Sequence, residues 1–215
     1  MKVFIFGASG ATGKLVTKEL VERDINTKVV IRETATISHN LLDNNKVEII
    51  RGQVSKFTLE QIKDLVKDCD AVVCCLGHNI SFKGIFGPPY NLVSQTVKKI
   101  TKAILPNCNT KFILMSTTAY TNKKIGEKNT IGEKIIFSFL KLFLPPHRDN
   151  MNACDYLLYK LGAENNIDWI AVRPDSLIDE TSKSAYEVFE LKERSPIFNP
   201  GKTSRINVSQ FIADL

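Results

Sequence analysis

Gly7, Gly10 and Gly13 stand three apart in GASGATG, between the apolar run KVFIF and the run KLVTKEL. Ordered glycine loses more backbone entropy than any other residue, so a regular set of them serves a turn or a close approach. A dinucleotide phosphate gives each one a task. Gly7 lets the chain turn out of a strand, Gly10 lets backbone meet the pyrophosphate, and Gly13 lets a helix pack on the sheet. A helix opening at Thr12, just after Ala11, offers free N–H donors and a positive dipole end to the phosphates. Ser9 and Thr12 can add hydroxyl donors. The next apolar run ends at Ile31, followed by Arg32 and Glu33. A guanidinium at that place matches a ribose 2′-phosphate, whereas a carboxylate there bonds a free 2′-hydroxyl. Arg32 therefore predicts NADP(H) as the preferred cofactor, with NAD(H) the alternative if Glu33 takes the ribose.

The elements that must hold these residues follow from apolar periodicity. Residues 2–6 read as a buried strand, and Leu15, Val16, Leu20 and Val21 share one face of a helix running to about residue 23. Strands are predicted at 28–31, 47–50, 71–77, 111–116 and 169–174. Helices are predicted at 58–68, 91–105, 133–143 and 150–165, with LPPHRDN between the last two. Strand and helix alternate, which predicts a parallel, doubly wound Rossmann-type α/β sheet covered by helices on both faces. After Pro174 the rhythm breaks, and YEVFEL and TSRINV read as short strands of a small C-terminal substrate-side subdomain. Residues 1–215 are expected to form one domain, with the substrate-side elements mainly in 176–215.

Composition narrows the function classes. At 215 residues with net charge +6, the lysines are scattered, and no basic stripe interleaves with aromatics, so no nucleic-acid partner is expected. Cys69, Cys74, Cys75, Cys108 and Cys154 are odd in number and contain no CxxC, so neither a metal site nor a disulfide framework is expected. With no leader-like N-terminus and no long apolar span, a cytoplasmic protein without stable membrane insertion is expected. EKIIFSFLKLFLPP (133–146) is apolar nearly all round. Packing beneath the substrate-side elements is its expected use, with a lid, a dimer face or a membrane surface as alternatives.

KVFIFGASGATGKLV, VVIRE, AVVCCLG, KFILMSTTAY and YLLYKLGAENNIDWIAVRPDSL occur in this order. Together they resemble the extended or atypical branch of the short-chain dehydrogenase/reductase superfamily. Within it, the chain is most similar to the NAD(P)H-binding group of NmrA-like regulators and biliverdin-IXβ/flavin reductases. The resemblance runs from residue 2 to about 177, and weakly through SRINVSQFI. It implies that Leu76 and Gly77 sit beside the pyrophosphate and ribose, and Pro174 near the nicotinamide. Where relatives carry Gly-Asp-Val at the adenine, this chain has Gly52-Gln53-Val54, so Gln53 would bond the base. Relatives usually continue into another helix and strand, so a shortened C-terminus is expected.

The same resemblance implies a catalytic set. A Tyr and a Lys four apart on a helix work with a Ser or Thr after the fifth strand, the Lys holding the nicotinamide ribose and lowering the tyrosine pKa. Tyr156 and Lys160 match, ahead of WIAVRP, with Glu164 also at the expected spacing; Tyr120 and Lys124 repeat the spacing in a polar loop. Thr118 fits the substrate-side hydroxyl and Ser116 a cofactor-side one. His78 either faces the nicotinamide or lies on the surface. Asp149 reads as a helix cap, with His147 or Arg148 at the mouth of the site as the alternative. The expected function is an NADP(H)-dependent oxidoreductase passing hydride to a small flavin, quinone or carbonyl acceptor. A non-enzymatic NADP(H)-binding redox sensor, or a sugar-nucleotide-type epimerase or dehydratase, is the alternative, and a homodimer is left open.

Overall fold

The computed structural model describes residues 1–36, 41, 44–78, 81–105, 109–161 and 167–215, the Lys83 side chain excepted. Cys108 and Glu164 lie outside the described residues. Six parallel strands form the central sheet: β1 (Lys2–Phe6), β2 (Asn26–Ile31), β3 (Val47–Arg51), β4 (Ala71–Cys74), β5 (Lys111–Met115) and β6 (Trp169–Val172). Their order is β3-β2-β1-β4-β5-β6, so the winding reverses between β1 and β4, where doubly wound sheets place their ligands.

Strand residues alternate between two cores, as a period of two requires. Phe4, Phe6, Val72, Cys74, Phe112 and Leu114 face α2 (Leu59–Val66), α4 (Leu92–Ile104) and α6 (Pro145–Asp155). Val3, Ile5, Val73 and Ile113 face α1 (Ala11–Glu22) and α7 (Arg205–Asp214). Each fully buried phenylalanine side chain contributes about 1.5–3 kcal/mol of transfer free energy. Among the described residues, α3 (Phe82–Phe86) and α5 (Ile131–Phe143) lie in the connections that follow β4 and β5.

The C-terminal part departs from the expected pattern. YEVFEL forms no strand. TSRINV splits: β8 (Lys202–Ser204) pairs in parallel with β7 (Ser176–Ile178), and α7 then begins at Arg205. Val208 and Ile212, four apart, bury against the α1 side of the sheet, so helical spacing wins over β-branched composition. Arg23 fixes this helix to α1 by donating to the Ala213 carbonyl at 2.9 Å and pairing with Asp214 at 2.7 Å. LPPHRDN does not separate two helices. Pro145 and Pro146 open α6, where a missing N–H costs nothing. Beyond Asp155 the helix widens into a π turn over Tyr156–Leu161.

Candidate functional site

The glycine turn has the geometry its spacing requires. Gly7 sits at φ +84°, and a Cβ on it would lie 2.7 Å from the Cys75 carbonyl. At Gly13 a Cβ would overlap the Gly7 carbonyl oxygen and come within 2.8 Å of its carbon. Gly10 is different. It is exposed, caps α1 with ordinary extended backbone, and a Cβ there would meet only the Gly7 oxygen at 3.2 Å. No side chain caps α1. Its first N–H groups, including those of Ala11 and Thr12, therefore suit an anionic ligand. Ser9 is half-buried beside this turn, and the buried Thr12 packs inside it.

The other expected contacts follow the carboxyl ends of the strands. Exposed Gln53 comes after β3 and exposed Arg32 after β2. A Cβ on Gly52 would meet the Phe57 ring at 2.7 Å, so that ring packs over the glycine. After β4, Leu76 is half-buried and Gly77 is exposed, with open space where a side chain would be. After β5, the Ser116 amide donates to the Val172 carbonyl at 2.7 Å and the Thr118 amide to that of Pro174 at 3.2 Å. The Ser116 hydroxyl lies 3.0 Å from the Cys154 thiol. Burial pushes that thiol up to about 11, against a smaller opposing effect of the Ser116 bond, so it stays neutral.

A cavity of about 410 Å³ opens at the ends of β5 and β6, lined by Ser116, Thr118, Phe137, Leu140, Pro174 and Arg205 among others. A larger one, about 530 Å³, lies along the outer edge of β6 and shares Thr118, Pro174 and Asp175 with the first. The smaller cavity meets Ser116 to Ala119 after β5, two strands from the glycine turn, whereas the larger meets only Thr118 of these. Buried carboxylates hold the chain beside both cavities, bonding Arg173 and Lys192 at the larger one and Ser195, next to Pro196 and Ile197, at the smaller. Arg173 clamps Glu127 through two bonds of 2.8 Å, and Glu127 also accepts from the Lys192 and Asn122 amides at 2.8 and 2.6 Å. Glu133 accepts from Ser195 at 2.7 Å and caps its own helix through Thr130. For both acids burial raises the pKa, but these bonds outweigh it and keep the groups ionised.

Tyr156 and Lys160 are not brought to this edge. Helices α4 and α6 run side by side in the same direction, with Asp149 bonded to the amides of Val93 and Ser94 near the start of α4. Tyr156 comes two turns later, and its hydroxyl lies 3.2 Å from that of Thr101, two turns later on α4. That is about 10 Å farther from the strand ends. Lys160 is exposed and another turn beyond. The expected catalytic pair is thus corrected: helical spacing put the two on one face, but the depth of the face along α6 is wrong. The pair Tyr120 and Lys124 is no substitute. Tyr120 is buried and donates to Asp155 at 2.9 Å, and burial followed by that bond pushes its phenol well above the ordinary range. The Lys124 amine donates to the Leu158 carbonyl.

Asp149 does not cap its own helix either. It is fully buried in the second turn of α6 and caps α4 instead, accepting from Val93 at 2.7 Å and Ser94 at 3.0 Å. His78, on the loop after β4, points its Nε2 at the same carboxylate, 2.9 Å away, with its side chain only 5% exposed. This pairing ties the β4 loop beneath the expected nicotinamide end to two helices. His147 stacks on Phe137 with centroids 5.8 Å apart, behind the cavity wall. Arg148 is half-buried on the same turn of α6. Sequence reasoning missed the cavity residues Phe137, Leu140 and Arg205 and the Glu127–Arg173 clamp, which no local motif announces.

Known proteins similar to this chain share its fold. A curated chloroplastic protein of Arabidopsis thaliana, described as uncharacterized, is 25% identical over 176 residues, 82% of this chain; the chain spans 59% of that relative's length. An oxidoreductase, ylbE, from Lactococcus lactis superposes with TM-score 0.71 at 20% identity, over 100% of this chain and 84% of the other. A short-chain dehydrogenase/reductase from Veillonella parvula in complex with NADP gives 0.69 at 20% identity, over 99% and 85%. These likenesses establish a shared Rossmann-like α/β fold. A family model described as NAD(P)H-binding matches residues 7–215, and the chain belongs to that NAD(P)H-binding family.

Proposed function

We propose that the protein is an NADP(H)-dependent oxidoreductase whose small organic acceptor, a flavin or quinone in preference to a carbonyl, binds in the cavity at the ends of β5 and β6. The observation that carries this reading is the order of residues along one sheet edge. Gln53 follows β3, Arg32 follows β2, the glycine turn follows β1, Leu76 and Gly77 follow β4, Ser116 to Thr118 follow β5, and Pro174 follows β6. Laid along that edge, a dinucleotide would have its adenine at Gln53, its 2′-phosphate at Arg32 and its pyrophosphate at Gly7–Gly13. Its nicotinamide would lie where the cavity opens. The fit is supported by Gly7 and Gly13, where any side chain would strike neighbouring backbone and deform the turn.

When bound, the reduced nicotinamide supplies a hydride. The chain's own part is to bind, orient and exclude water. Apolar walls from Phe137, Leu140 and Leu177 suit a flat ring system, while the Ser116 and Thr118 hydroxyls offer hydrogen bonds at one side. A carbonyl acceptor needs a positioned acid for its developing alkoxide. With Tyr156 engaged at Thr101, an acceptor whose reduced form takes its proton from water suits the site better.

Two results test this reading. Arg32→Ala should weaken NADPH about 10–100-fold, the worth of bonds to a charged phosphate, with NADH unchanged in parallel titrations. Equal loss for both cofactors would contradict the role of Arg32. Tyr156→Phe should leave steady-state NADPH oxidation unchanged and cost about 1 kcal/mol in denaturant unfolding, from the lost bond to Thr101. A collapse of turnover with stability intact would restore the tyrosine as the acid.

A further inference from the structure

Helix α5 turns two different faces to its surroundings. Phe137 and Leu140 point inward and line the cavity. Ile131, Ile135, Phe139, Leu142 and Phe143 point out, with exposures of 77, 55, 59, 67 and 63%. At 100° per residue these five fall within one third of the helix circumference, a continuous apolar ridge about 20 Å long. Phe139 and Phe143 stack on each other at 6.1 Å. Phe198, 62% exposed, lies over Gly132 and extends the ridge at its first turn. The expectation that this segment packs beneath substrate-side elements holds only for its inner face.

The charges around the ridge decide what covers it. Residues 121–149 contain Lys123, Lys124, Lys128, Lys134, Lys141 and Arg148 against three acids, Glu127, Glu133 and Asp149. All three acids are buried, at 9, 2 and 0% exposure, and each is satisfied internally. The lysines are exposed. What residues 121–149 show to solvent is therefore apolar and cationic, since none of the three carboxylates within them is exposed to answer the lysines. A second copy pairing through the same ridge would set cationic flanks against cationic flanks. A convex ridge without a groove also suits a deformable partner. Among the described residues no helix is long and apolar enough to cross a membrane, so such a helix lies in the interface plane.

We propose that α5 docks the protein on anionic lipid bilayers, its ridge set at the headgroup–acyl boundary and its flanking lysines on lipid headgroups. The docking stands independently of the reductase reading. It places the cavity, on the inner face of the same helix, directly behind the bilayer surface.

The test is flotation of the full chain with vesicles of phosphatidylcholine alone and of an equimolar phosphatidylcholine–phosphatidylglycerol mixture. The wild type should float with the anionic vesicles and not with the neutral ones, and salt should release it. Ile135→Ser combined with Phe139→Ser, and separately Lys134→Glu combined with Lys141→Glu, should each weaken anionic-vesicle binding by about tenfold or more. Because all four side chains are exposed, melting temperature and NADPH affinity should not move. No vesicle binding by the wild type would overturn the proposal, as would binding unaffected by either double variant. So would a solution dimer dissolved by the Ile135→Ser, Phe139→Ser pair, which would make a second copy the occupant.

Discussion

Asp149→Ala destabilises the protein by about 3–5 kcal/mol, the cost of stripping the partner from a buried, hydrogen-bonded charged group. In a chain of this size that is a fall of about 6–20 °C in melting temperature. The effect is large because one carboxylate serves three donors: the Val93 and Ser94 amides that open α4, and His78 on the loop after β4. Burial alone would raise its pKa, but the bonds from His78, Ser94 and Val93 outweigh burial and hold it below the ordinary value. A carboxyl with a depressed folded pKa contributes its full stability above the unfolded value, about 4. That contribution is lost as pH falls through the folded one. Thermal melts from pH 7 downward should therefore show the wild type losing stability below about pH 4, with a shallower loss in Asp149→Asn. Parallel curves for the two proteins would show that the carboxylate is not the group being titrated.

Gly10→Val abolishes measurable cofactor binding while leaving the fold nearly intact. The backbone of Gly10 is ordinary extended chain, and an added Cβ meets only the Gly7 oxygen, so the structural cost is about 1 kcal/mol, that of a poor helix cap. The branched side chain, however, stands where the pyrophosphate must approach. Losing two amide bonds to a charged phosphate weakens NADPH more than about 100-fold. Gly13→Ala should behave in the opposite order, losing stability first, because its Cβ overlaps the Gly7 carbonyl. Calorimetry with NADPH and thermal melts on both variants separate the two roles. If Gly10→Val binds NADPH like the wild type, the phosphates do not sit at this turn.

The contrast between these glycines was partly legible from spacing alone, since a strand, a three-residue glycine repeat and an amphipathic helix have few joint solutions. The parallel order of the sheet was legible for the same reason: every connection between buried strands but the one from 28–31 to 47–50 carried a helical pattern. What the sequence could not carry was depth along a helix. Tyr156 and Lys160 have the right spacing, yet the start of α6 at Pro145 places them two turns or more from the strand ends. Asp149 looked like a local cap because local partners are what a sequence displays, and its real partners are 55 and 56 residues away. Arg205 and Phe137 reach one cavity only through the packing of α5 and α7, which no short motif records.

The most direct measurement is NADPH oxidation by the purified full chain with a free flavin and with a water-soluble quinone, followed through loss of reduced-nicotinamide absorbance. Wild type, Tyr156→Phe and Gly10→Val are compared after binding has been measured for each. The account predicts turnover in the first two and none in the third. Tight NADPH binding by the wild type with no oxidation by any acceptor would contradict the reductase reading and leave a cofactor-binding sensor in its place.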